Sequence, residues 1–329
     1  MAGHQLPFTC FLHAGGFSPP GLPIMQRRRF LAASLFLLLS ACATTPPPEP
    51  VTPPAALPKP RIALALGGGA AKGFAHIGVI KVLEAHGIHA DIVTGTSAGS
   101  VVGSLYAAGY SGFQLQKVAQ QLDEADLRDL TVSSQGFIKG EALQAYVNRL
   151  VGNRNIEKLG KPFGAVATDL SSGRRVVFRR GNTGQAVRAS CSIPNVFIPP
   201  VIQGRRYVDG GLTSPVPVSA AREMGADLII AVDISARARN GKAEGFLGLL
   251  DQSVTIMGER LLNQELKDAD VVIHPSVGQI GGADFDARNR AILEGEKAAQ
   301  QMMPLIRARI DAKARELAAA QAATRTVSR

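Results

Sequence analysis

Cysteine occurs only three times in 329 residues, at positions 10, 42 and 191. Three scattered thiols make neither a disulfide framework nor a metal-ligand spacing. Blocks of basic residues are equally scarce: the formal charge is +10, yet beyond Arg27–Arg29 no run of three or more Lys or Arg forms. The excess therefore reads as a solvated basic surface rather than a footprint for nucleic acid. No internal repeat is present. The longest apolar stretch near the N-terminus, Phe30 to Leu39, is too short to span a bilayer, which takes roughly 20 residues. Two nucleotide-binding patterns also fail. A G-x-G-x-x-G run from Gly67 would need glycine where Lys72 stands, and no G-K-[ST] follows.

What is present begins with an address. "MQRRRFLAASLFLLLSAC", residues 25–42, has a basic start, an apolar core and a small-residue end, the order of a secretory signal. Its closing "LSAC" resembles a bacterial lipobox. The resemblance implies cleavage before Cys42 and acylation of its thiol, which anchors the mature chain at a membrane. Ala43 then points to the outer membrane, facing the periplasm. Residues 1–24 lie upstream of this pattern and are expected to be a misassigned extension, with Met25 as the true start. Residues 43–60 are so rich in proline that they read as an extended polyproline tether. The folded domain is expected from 61 to 329.

Within it, short apolar runs alternate with helical patterns. "RIALAL" (61–66), "ADIVTG" (90–95), "PFGAVATD" (162–169), "GRRVVFRRG" (173–181), "ADLIIAVDIS" (226–235) and "DVVIHP" (270–275) read as strands. Helices are expected after the first two, at "VPVSAAREMG", and from about Asp286 onward. This alternation predicts an α/β fold, a mainly parallel sheet covered on both faces. Residues 110–135 carry no clear period and are a candidate lid or lipid-facing surface.

Two strand-to-helix turns stand out. "LGGGAAKG" offers backbone N–H groups at a helix start, where a phosphate or an oxyanion can be held. "GTSAG" fits G-x-S-x-G, with Ser97 between Gly95 and Gly99 and the required strand before and helix after. In an open α/β sheet both turns lie at the carboxyl edge. A serine nucleophile needs a base. Among the histidines, His76 falls in the first turn of a helix and His274 at a strand end; His274 is the runner-up. Asp209, in the open turn "VDGGLTSP" with Gly210 and Gly211, is the carboxylate candidate, with Asp91, Asp169 and Asp233 as competitors. Cys191 is read as a buried thiol rather than a nucleophile.

"GGGAAKG", "GTSAG", "RASCSIPNVFIPP" and "DGG", in this order, resemble the patatin-like phospholipase family. The resemblance implies a three-layer α/β/α sandwich and a Ser–Asp dyad: Ser97 as nucleophile, Asp209 as base, and Gly67, Gly68 and Gly69 as the oxyanion hole. The block from Ser190 to Pro194 would line the site. It implies a lipid substrate and no metal or cofactor. A non-catalytic lipid-binding envelope lipoprotein of the same fold is the alternative.

Overall fold

In a computed structural model, the described residues are 57–123, 127, 129–131, 133, 136–237 and 245–327. The expected extension, signal and Cys42 lie outside them, as does the tether up to residue 56. The domain starts with β1 (Ile62–Leu66), a short 3-10 turn (Ala70–Gly73) and α1 (Phe74–Ala85). β2 (Ile92–Thr96) then leads into α2 (Ala98–Ala107), followed by α3 (Gly112–Gln121) and α4 (Glu141–Leu150). β3 (Phe163–Asp169), β4 (Arg175–Phe178), α5 (Thr183–Ser190), β5 (Val201–Ile202) and β6 (Arg205–Asp209) come next. α6 (Val218–Glu223), β7 (Leu228–Val232), α7 (Gly245–Leu266), β8 (Val271–Ile273) and α8 (Arg288–Val327) complete the order.

The sheet runs β5-β6-β3-β2-β1-β7-β8, with β4 also on β3. β1 pairs in parallel with β2 and β7, β2 with β3, and β7 with β8. β4, β5 and β6 form the antiparallel end. The sheet is thus mostly parallel, as expected, but the expected strand at 173–181 is an antiparallel hairpin partner of β3.

Alternation along the central strands explains the layers. Ile62, Leu64 and Leu66 of β1, with Leu228, Ile230 and Val232 of β7, join the core beneath α1, α2 and α8. Ala63, Ala65, Ile229 and Ala231 point the other way, against Val218, Ala221 and Leu262 of α6 and α7. Strands buried on both faces read as continuous apolar runs, and each fully buried Leu or Ile contributes about 2 kcal/mol.

The edge of β3 positions the site. Ala165 pairs with Gly95 of β2 on one side and Phe178 of β4 on the other. Ala167 pairs with Val176 of β4 and with Asp209 of β6. β6 therefore occupies the same edge of β3 as β2, beginning where β2 stops. The end of β6 abuts the end of β2.

The segment 110–135 contains α3, which the sequence reading leaves without an element. Its start is a capping box: Ser111 Oγ accepts the Gln114 N–H and Gln114 Oε1 accepts the Ser111 N–H.

Candidate active site

Ser97 sits between β2 and α2 at φ 51° and ψ −125°, a left-handed φ that costs a side-chain-bearing residue about 1–3 kcal/mol. The turn is over-determined by close contacts. A Cβ on Gly95 would lie 2.4 Å from the Gly99 carbonyl oxygen, and one on Gly99 would lie 2.2 Å from that of Leu66. The Ser97 N–H donates to Ser190 Oγ at 2.9 Å, and that hydroxyl donates to the Val166 carbonyl at 2.5 Å. Ser190, at the end of α5, is thus the clamp on the elbow. Its chemical role was not legible in the sequence, because nothing local marks a serine that bonds 93 positions away.

Asp209 ends β6. Its N–H donates to the Ser192 carbonyl at 2.8 Å, and its own carbonyl accepts Thr168 Oγ1–H at 3.0 Å. Oδ1 accepts the Gly211 N–H at 2.7 Å, while Oδ2 is buried with no hydrogen-bond partner among the described residues. Gly210 is needed at the turn because a Cβ there would meet the Val166 carbonyl at 2.2 Å. Burial raises the Asp209 carboxyl to about 6, against the pull of the Gly211 N–H and the neighbouring Ser97 hydroxyl. Ser97 and Asp209 are neighbours, each only 7% exposed, and both line one cavity of about 390 Å³.

The same cavity is lined by Gly68, Gly69, Ala70 and Lys72 of the glycine turn. The Gly67 N–H donates to the Val232 carbonyl at 3.0 Å and the Gly68 N–H to that of Pro215 at 2.9 Å. Both donors are spent on the scaffold. On the far side, the Ala71 N–H goes to Gly282 O and the Lys72 N–H to Gly69 O. The N–H groups of Gly69 and Ala70 take no hydrogen bond among the described residues. Of the expected oxyanion-hole residues Gly67, Gly68 and Gly69, the first two have their N–H groups committed to carbonyls, while the Gly69 N–H and that of the following Ala70 are uncommitted among the described residues.

Ser97 also opens onto a second cavity of about 290 Å³, walled by apolar side chains such as Val102, Leu122, Leu143, Tyr146 and Phe197. Cys191 lines it too, with Sγ 3.8 Å from Ser100 Oγ. Burial and the Asp209 charge push its thiol up to about 12, so it stays protonated. A larger cavity, about 770 Å³, lies along β4, and neither Ser97 nor Asp209 lines it.

The remaining candidates are committed elsewhere. Asp233 accepts from the Ser235 N–H and pairs with Arg237 and His274; despite burial, these partners hold it low, at about 2. His274 is half-exposed in that pair and lines neither cavity beside Ser97. Asp169 accepts from the Ser171 hydroxyl and the Ser171 and Ser172 N–H groups, which hold its carboxyl below the usual range. Asp91 accepts the Ile62 N–H at the start of β1. His76 is fully buried behind the glycine turn, with Nε2 at 2.8 Å from Gly67 O.

Residues 64–222 match the family model described as patatin-like phospholipase. An uncharacterized NTE family protein of Mycobacterium bovis is 41% identical over 179 residues, covering 54% of this chain and 49% of that protein. Patatin-like phospholipase domain-containing protein 6 of Homo sapiens is 35% identical over 185 residues, 54% of this chain and 13% of that protein. The chain thus spans half or less of the length of these relatives. VipD from Legionella pneumophila superimposes with a TM-score of 0.52 at 16% identity, over 78% of this chain and 67% of VipD, a likeness of fold. The likeness to the patatin-like phospholipase family model thus extends over residues 64–222 of this chain.

Proposed function

We propose that the chain hydrolyses ester bonds of phospholipids or lysophospholipids, with Ser97 as nucleophile and Asp209 as its base. One observation carries this reading: the buried Asp209 carboxyl, its Oδ2 without a hydrogen-bond partner among the described residues, shares a cavity with Ser97, whose strained elbow also opens onto an apolar cavity. A carboxyl raised to about 6 is still mostly ionised at neutral pH, yet basic enough to accept a proton.

Asp209 takes the Ser97 proton as Oγ attacks the ester carbonyl carbon. The carbonyl oxygen becomes an oxyanion facing the Gly69 and Ala70 N–H groups, each such donor supplying about 3–4 kcal/mol in the transition state. Collapse breaks the C–O ester bond, and Asp209 returns the proton to the departing alcohol of the lysolipid or glycerol backbone. Water, deprotonated by Asp209, then attacks the acyl carbon; the bond to Ser97 Oγ breaks, Asp209 returns the proton to that oxygen, and the fatty acid leaves. The acyl chain lies in the apolar cavity and the leaving group in the more polar one.

The domain works at a bacterial envelope, held there by acylated Cys42. Loss of fatty-acid labelling on Cys42→Ser checks the anchor. A fluorophosphonate probe and a lipid panel read by mass spectrometry check the chemistry. Ser97→Ala is expected to abolish labelling and to lower turnover by about 10⁴-fold or more. A folded wild-type chain that binds lipid but neither labels nor hydrolyses would instead be a binding lipoprotein.

A further inference from the structure

Behind the glycine turn lies a histidine that the proposed chemistry does not use. His76 is the third residue of α1 and is fully buried. Its Nε2 lies 2.8 Å from the Gly67 carbonyl oxygen. A carbonyl can only accept, so Nε2 carries the proton and Nδ1 bears the lone pair. That Nδ1 is buried with no partner among the described residues. An unsatisfied buried acceptor costs about 1–3 kcal/mol, which packing alone would avoid by using an apolar side chain.

The compensation lies in what Nε2 holds. The Gly67 carbonyl and the Gly68 N–H belong to one peptide unit. His76 grips its oxygen and the Pro215 carbonyl grips its hydrogen. The next peptide unit carries the Gly69 N–H, which has no partner among the described residues, and Gly69 lines the cavity with Ser97. Ala70 follows at φ 50°, strained for a residue with a Cβ. Such a turn keeps its shape only if fixed from both ends. Ala71 and Lys72 are fixed by Gly282 and Gly69 on one side; the Gly67–Gly68 unit, gripped by His76, is fixed on the other.

We infer that His76 is a positioning residue: by locking the Gly67 carbonyl it aims the free Gly69 and Ala70 N–H groups at the oxyanion formed on Ser97 attack. This inference rests on the proposed Ser97 chemistry. It assigns His76 no proton transfer, and burial favours the neutral ring, lowering its pKa to about 4. The ring is a neutral N–H donor throughout the working pH range.

The test compares His76→Gln, which keeps a side-chain N–H donor, with His76→Met, which fills space without one. Turnover of a short-chain nitrophenyl ester and the rate of Ser97 phosphonylation are measured on the full chain, with folding checked by thermal melting. For H76M, kcat is expected to fall about 30-fold with KM within about 2-fold of wild type, since misplacement near 1 Å costs up to about 10²-fold. Phosphonylation should slow in parallel, and H76Q should recover most of the loss. Wild-type kcat in folded H76M, or equal loss in both variants, overturns the role. If H76M does not fold, ¹⁵N NMR of the wild-type ring decides. A neutral Nε2–H tautomer at pH 7 together with an active H76Q sustains the role; an Nδ1–H tautomer, a cation or an inactive H76Q ends it. An inactive Ser97→Ala beside a fully active H76M removes only the role of His76. An active Ser97→Ala removes the reading beneath it.

Discussion

Ser190 Oγ accepts the backbone N–H of Ser97 at 2.9 Å across 93 positions of sequence, and its own O–H donates to Val166 O. One hydroxyl thus ties the elbow to β3 and α5. Ser190→Ala should leave the Ser97 N–H unpaired in a buried site, a loss of about 1–3 kcal/mol in stability. Because the elbow would then relax from its strained φ, kcat should drop by about 10-fold or more. Thermal melting and ester turnover measured on the same preparation check both.

The pH profile follows from Asp209. With its carboxyl at about 6, kcat/KM should fall on the acid side with a single step near that value. Stability runs the other way. A carboxyl raised on folding binds its proton more tightly in the native state. It therefore weighs against the fold above pH 6 and ceases to do so below its unfolded value of 3.8. Asp209→Asn keeps the Gly211 contact and removes the buried charge. It should abolish turnover and yet raise stability at pH 8 by up to about 3 kcal/mol, an advantage that vanishes near pH 4. Equal melting of the two proteins at pH 8 would contradict this.

Cys191 should be inert in the native protein. Its thiol is buried and pushed up to about 12, so the thiolate that alkylating agents require is absent. Iodoacetamide at pH 8 should leave it unmodified until denaturant is added, and Cys191→Ala should retain turnover. Rapid native alkylation would show a thiol far more open than this one.

The apolar cavity should govern acyl length. Leu143 is buried in its wall. Leu143→Phe shortens the space available and should shift the preferred ester toward shorter chains, each excluded methylene forgoing about 0.8 kcal/mol. Overpacking should cost about 1–3 kcal/mol of stability. Kinetics over a series of nitrophenyl esters, from acetate upward, read the shift. An unchanged preference would place the acyl chain elsewhere.

The central strands were legible because β1, β2, β3 and β7 are buried on both faces and read as unbroken apolar runs. The elbow was legible because glycine at 95 and 99 is a steric demand written locally. The helices α4 and α5 carried less signal. α4 starts after Gly140, and its cap comes from a distance: Asp129 accepts the Gly140, Glu141 and Ala142 N–H groups. α3 was readable and overlooked, since Ser111 and Gln114 spell its capping box. Choosing Asp209 over its competitors from residue spacing alone was beyond the sequence, because all four aspartates lie near strand ends or turns.

By itself the sequence determined the alternation of strands and helices, the two glycine turns and the position of the serine, since these depend on backbone sterics and apolar period within a few residues. Only the tertiary structure decided which acid faces that serine and which amides are free. β6 continues the edge of β3 where β2 ends, carrying Asp209 to the elbow, while Val232 and Pro215 consume the Gly67 and Gly68 donors. Hydrogen bonds saturate: once a distant carbonyl takes an N–H, no local motif can reveal that it is spent.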